Sequence, residues 1–188
     1  MIDCGLSRDY KKILKRLYDL GYPDKPLMRL LITHADGDHF GSASNINELT
    51  KARIFSSPKE KEAIEKGESS RPLKGKRIVK VLTNFLSPLF AASPVKIDET
   101  LSNFQDLPIF GGLSVIDTPG HTPGHVSFWL EEFKILFAGD SIRESFGRPI
   151  SSTGMNTWDQ DLANKSFELQ MSLHPKIICA GHTCLLIK

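Results

Sequence analysis

Residues 33–41 read Thr33-His34-Ala35-Asp36-Gly37-Asp38-His39-Phe40-Gly41, which places four candidate metal ligands within six positions. On an α-helix successive residues turn by about 100°, so Asp36 would face away from His34 and Asp38. In an extended loop, positions i, i+2 and i+4 share a face, which gathers His34, Asp36 and Asp38. Gly37 permits a bend that brings His39 round to the same centre. Imidazole and carboxylate together suit zinc, iron or manganese, and a set without cysteine argues against a closed structural zinc site. The plain alternative is a solvated polar loop in which Asp38 caps the following helix.

The stretch sits between a short apolar run, Leu30-Leu31-Ile32-Thr33, and a helix expected from near Phe40 to about Lys51. Three later segments repeat this arrangement of apolar strand followed by His or Asp. Asp117-Thr-Pro-Gly-His121-Thr-Pro-Gly-His125 follows Leu113–Ile116, Ala138-Gly-Asp140-Ser follows Ile135–Phe137, and Ala180-Gly-His182-Thr follows Ile177–Cys179. A glycine directly precedes His121, Asp140 and His182, removing side-chain bulk where a backbone approaches a centre closely. Each turn alone says little; four strand ends offering His or Asp in chain order say much more.

Elsewhere the patterning alternates helices and strands. Ser7 can cap a helix over 7–20, with Ile13, Leu14, Leu17 and Leu20 as its stripe and Gly21 at its end. Arg53–Ser56 reads as a strand, Pro58 opens a further helix, and 66–75 reads as a surface loop. Ile78, Val81, Leu82, Phe85, Leu86, Leu89 and Phe90 form a helical stripe, read as core, as a lid over an apolar substrate or, given the basic residues beside it, as a membrane-surface attachment. Strands follow at Leu113–Ile116, Val126–Leu130, Lys134–Ala138 and Ile177–Ala180, while Thr157 and Gln160 suggest a capping box for a helix ending near Leu173. Such alternation favours a layered α/β domain.

Composition narrows the function classes. The 188 residues fit one domain, and 40% hydrophobic with 24% charged residues is ordinary for a globular chain. A formal charge of +2 is too small to make nucleic acid the expected partner. No apolar run reaches the ~20 residues that cross a bilayer, and the N-terminus lacks the pattern of a secretory signal. Three cysteines, Cys4, Cys179 and Cys184, show no CxxC spacing, so a cytoplasmic location is expected and packing is the default role for each. The expected partner is a small-molecule substrate, with a homodimer as an allowed assembly.

Taken together, THADGDHFG, TPGHTPGH, FAGD and AGH resemble, in order, the motifs of the metallo-β-lactamase superfamily, and the match runs from Ile2 through His182. The resemblance implies a four-layer αβ/βα sandwich lacking the first strands, with 1–188 as one domain and 66–110 as a substrate-lid or insert region. It implies two divalent metal ions, zinc first, with iron or manganese as alternatives. His34, Asp36 and His121 would hold one ion, Asp38, His39 and His182 the other, and Asp140 would bridge them. His125 has no ligand role in that scheme and is expected to support its neighbours.

The resemblance is closest to the glyoxalase II-like and lactonase-like branch. It implies a metal-activated hydroxide acting on an ester, thioester or lactone, with Asp38 as the catalytic residue that orients the nucleophile. Asp36 stands where the family usually has a second histidine, and flavodiiron relatives also place a carboxylate there. An iron-dependent oxidoreductase, persulfide dioxygenase-like or flavodiiron-like, is therefore the runner-up. A catalytically weak, truncated binding module is the third reading.

Overall fold

Parallel strands organise the first part of the computed structural model, which describes residues 1–71 and 92–187. The chain divides into two units, one of Met1–Ser56 with Lys61–Thr100, the other of Ser57–Glu60 with Leu101–Lys188. The apolar stripe of 78–90 lies outside the described residues.

In the first unit, β1 (Arg29–Leu31), β2 (Arg53–Ser56) and β3 (Glu99–Thr100) run parallel in that order. Ile2 bridges the open side of β1, with Asp3 N–H donating to Leu31 O at 2.9 Å. β1 and β2 bury Leu30-Leu31 and Ile54-Phe55, as strands covered on both faces do, whereas β3 is a short, exposed Glu-Thr edge. Leu30, Ile32, Ile54 and Ile64 are fully buried with Phe40, Val95 and Ile97 around them. Each such side chain contributes roughly 1.5–3 kcal/mol on burial.

The helices here differ in detail from the sequence expectation. Residues 7–20 form a 3₁₀ turn over Ser7–Asp9 and then α1 (Tyr10–Asp19). Ser7 does not cap it: its hydroxyl donates to Gly41 O at 3.0 Å. The polar stretch expected to stay extended is extended only as far as Asp36, with φ −107° and ψ 141°. Gly37–Phe40 then closes into a helical turn, α2, and α3 (Ala43–Thr50) follows. The reason is local: His39 and Phe40 N–H both donate to Asp36 O, so the turn begins at Asp36. α3 ends at Lys51, whose φ of 57° puts it in the left-handed region. α4 (Pro58–Lys66) starts at the proline, where a missing N–H costs no helical bond.

The second unit holds β4 (Asp106–Leu107), β5 (Leu113–Asp117), β6 (Val126–Leu130), β7 (Ile135–Gly139), β10 (Ile177–Ala180) and β11 (Cys184–Leu186). They form one sheet in the order β11-β10-β7-β6-β5-β4. β7 and β10 are parallel, with α5 (Gln160–Ser172) between them in sequence, while the remaining pairs are antiparallel. The hairpin of β8 (Ile142–Ser145) and β9 (Arg148–Ser151) was not legible in the sequence. Ile116, Trp129, Leu136, Ala138, Ile142 and Ile178 form the core of this unit.

The cap of α5 also needs correction. Asp159, not Thr157, is the N-cap, its carboxylate accepting from Leu162 N–H at 3.0 Å. Thr157 Oγ1 instead lies 3.0 Å from Ser152 Oγ. Aspartate caps at least as well as threonine, and the nearer candidate wins.

Candidate metal centre

In the first unit the four candidates lie where β1 ends and α2 begins. His34 and His39 are buried, with ring centroids 4.1 Å apart. Asp3 sits beneath them, a residue to which the sequence reading assigned no role. Its carboxylate accepts from Thr33 N–H at 2.8 Å and from the Thr33 hydroxyl at 2.7 Å, and it lies 2.8 Å from His39 Nδ1. A carboxylate accepts, so the His39 proton belongs on Nδ1 and the lone pair on Nε2. The Thr33 hydroxyl spends its one hydrogen on Asp3, so toward His34 Nδ1 at 2.9 Å it accepts. His34 therefore also carries its proton on Nδ1, and its Nε2 lone pair faces Asp36 Oδ2 at 3.4 Å. A protein partner that fixes the tautomer in this way is the usual support for a metal-binding imidazole.

Asp36 is held from a second direction. Ser69 Oγ donates to its Oδ1 at 2.9 Å, and Arg71 Nη2 donates to its Oδ2 at 2.6 Å. Ser69 and Arg71, in a stretch read as surface loop, thus reach a buried carboxylate. Asp38, on α2, is half-buried beside His39.

In the second unit Asp140 Oδ2 lies 3.7 Å from His121 Nε2 and 3.4 Å from His182 Nε2. His121 is buried and its Nδ1 lies 3.1 Å from Ser152 Oγ, whereas the His182 side chain is 65% exposed. Two donors each ~2.0–2.1 Å from one tetrahedral metal stand ~3.4 Å apart, so 3.4 and 3.7 Å suit paired ligands. Imidazole nitrogens beside a carboxylate oxygen are a donor set for a divalent cation, and the residues fit the group.

His125 is arranged differently. Its Nε2 accepts the Asp140 backbone N–H at 3.1 Å, which puts its proton on Nδ1, 2.8 Å from Thr118 Oγ1. That hydroxyl continues to Ser127 Oγ at 2.9 Å, and Gln170 Nε2 donates to Ser127 and Ser141 at 2.9 and 2.8 Å. His125 thus joins a buried chain of hydroxyls that steadies the backbone of Asp140.

The glycines of the double turn serve neighbouring helices. Gly120 has φ +138°, and a Cβ there would lie 2.3 Å from Ala163 N and 2.4 Å from its Cα, inside the first turns of α5. The close approach foreseen at this glycine is to helix backbone. Gly124 rests on the start of α4, where an added Cβ would meet Ser57 Oγ at 2.7 Å and Glu60 Oε1 at 2.8 Å. Glu60 is fully buried and accepts from Gly124 N–H at 2.7 Å and Thr122 Oγ1 at 2.9 Å. Asp3, Ser69, Arg71, Ser152 and Glu60 are the supporting residues missed in the sequence. Each meets its partner only across a long chain separation, and no local motif marks it.

A family model described as the metallo-beta-lactamase superfamily matches residues 1–182. The chain is 26% identical to the probable metallo-hydrolase YflN of Bacillus subtilis (strain 168), over 97% of this chain and 74% of that one. It is 27% identical to the hydroxyacylglutathione hydrolase of Methylobacillus flagellatus over 83% of its length, and spans 48% of that enzyme. The crystal structure of the BLEG-1 B3 metallo-beta-lactamase superposes with a TM-score of 0.74 at 23% identity, covering 98% of this chain and 81% of the other. That likeness bears out the α/β sandwich class expected from the motifs. No helix among the described residues is long and apolar enough to cross a membrane.

Proposed function

Because the chain belongs to the metallo-beta-lactamase superfamily, we propose that it is a metal-dependent hydrolase acting on an ester, thioester or lactone. In this reading His34, Asp36, Asp38, His39, His121, Asp140 and His182 hold two divalent ions. The observation that carries it is the tautomer pattern: the networks around His34 and His39 place the proton on Nδ1 and the lone pair on Nε2. When bound, the metals supply Lewis acidity that lowers the pKa of water and polarises the scissile carbonyl.

The chain's own residues do the rest. Asp3 and Thr33 hold the two first-unit imidazoles in one orientation. Asp140 is steadied through His125. Asp38 orients the attacking water and accepts its proton. Residues 66–110 form the specificity region, with Ser69 and Arg71 as its contacts to Asp36. The names of the two relatives, a probable metallo-hydrolase and a hydroxyacylglutathione hydrolase, support hydrolysis.

Zinc comes first among the metals. A carboxylate at position 36 removes one positive charge from the centre, which makes it more receptive to iron or manganese. The Arg71 guanidinium, 2.6 Å from that carboxylate, returns that charge. The test is elemental analysis of protein purified without chelator, then a panel of thioesters, lactones and phosphodiesters on the zinc-reconstituted chain. More than one metal equivalent and turnover of a carbonyl ester support the reading. Protein that refuses zinc and iron on titration sinks it.

A further inference from the structure

The last two strands bring two cysteines together. β10 and β11 are antiparallel, and Cys179 stands directly opposite Cys184 in their register. Their Sγ atoms are 3.8 Å apart. Directly opposed residues in an antiparallel pair have Cα atoms ~4.5–5.5 Å apart, inside the ~4.4–6.8 Å that disulfides span. Side-chain rotation is then enough to close the bond. Cys184 is exposed and Cys179 partly so, while Cys4 is buried in the other unit. Between the pair lie Ala180, Gly181, His182 and Thr183, and Gly181 N–H donates to Gly139 O at 2.8 Å.

We propose that Cys179 and Cys184 are a reversible oxidation site, whose disulfide closes the hairpin carrying His182. A small-molecule disulfide such as glutathione disulfide serves as oxidant. The Cys184 thiolate attacks it, the glutathione S–S bond breaks, and one glutathione thiolate leaves. The Cys179 thiolate then attacks Cys184 Sγ and expels the second. Two protein thiols lose two electrons and two protons, and one glutathione disulfide becomes two glutathione thiols. Exposure makes Cys184 the point of entry, and burial, then the neighbouring thiol, pushes Cys179 up to about 11. The disulfide stands on this geometry alone; its effect on metal binding rests on the ligand role proposed for His182.

The full chain is incubated with glutathione disulfide, quenched in acid, alkylated after unfolding and digested with trypsin. Residues 177–188 form one tryptic fragment containing both cysteines. The proposal expects that fragment unalkylated and lighter by two hydrogen atoms, Cys4 alkylated, and full reversal by dithiothreitol. Cys179→Ser should instead retain a glutathione adduct on Cys184. A lasting adduct on wild-type Cys184, a disulfide-linked dimer, or no oxidation at all overturns the proposal. Chelator competition on the oxidised and reduced forms then reads zinc affinity. An unchanged affinity with the disulfide present counts against His182 as a ligand and leaves the oxidation site standing.

Discussion

Arg71 Nη2 lies 2.6 Å from Asp36 Oδ2, the same oxygen that stands 3.4 Å from His34 Nε2. A guanidinium and a metal would therefore contend for one carboxylate oxygen. Removing the guanidinium frees that oxygen and takes a positive charge away, and both effects favour a cation. Arg71→Ala should tighten binding of the weaker-held zinc by about tenfold, the low end of a charge-assisted hydrogen bond at a partly exposed site. Chelator competition measures it. Weaker binding in the variant would mean that Arg71 and Ser69 preorganise Asp36.

Asp3 provides the second test. Its carboxylate touches both Thr33 and His39, so one substitution loosens two imidazoles. Asp3→Ala should cost about 10–100-fold in metal affinity, the usual effect of losing such a partner. Asp3→Asn should cost less, because the amide oxygen still accepts from His39. Equal affinity in all three proteins would remove Asp3 from the site.

His121 and His125 separate by what their Nε2 atoms meet. His121→Ala should lower metal stoichiometry. His125→Ala should keep it while destabilising the fold by about 1–3 kcal/mol, because the Asp140 N–H and Thr118 lose a buried partner. Metal analysis with urea unfolding distinguishes the two, and the reverse outcome would exchange their roles.

The cysteines give a prediction in pH. With Cys179 pushed up to about 11, iodoacetamide at neutral pH should label Cys184 well before Cys179 in the reduced chain. The Cys179 rate should climb as pH rises toward that value. Fragment sequencing of 177–188 reads both positions, and equal labelling near neutrality would contradict the assignment.

How far the sequence alone reached is clearest at individual residues. His34, His39, His121 and His182 announce themselves because short turns at strand ends are written locally. The helical turn at Gly37–Phe40 did not, since the spacing of the candidate ligands also fits an extended strand and only the Asp36 carbonyl decides between them. Thr157 matched a capping pattern, yet Asp159 stood closer to the helix and took the role. Asp3 and Arg71 were illegible for a different reason: each lies 35 or more positions from the residue it supports. Tertiary contacts of that kind leave no periodicity to read.

Gly120→Ala should be costly. The side chain would need φ +138° and would strike the Ala163 backbone at 2.3–2.4 Å. A loss of at least ~2–3 kcal/mol is the scale for combined strain and overpacking. Thermal unfolding tests it, and an unchanged midpoint would show that α5 yields easily.

The chain spells Pro-Gly-His twice, at 119–121 and 123–125, and nothing inside the triplet says which copy is which. The distinction is imposed from outside, by whatever lies under each glycine. One copy is keyed to α5 through Ala163, the other to α4 through Glu60. A slip of four residues would present the wrong copy to each helix, so the duplicated word has only one legible alignment. It follows that the two histidines can be adjusted separately by editing remote helices, with the turn itself left untouched.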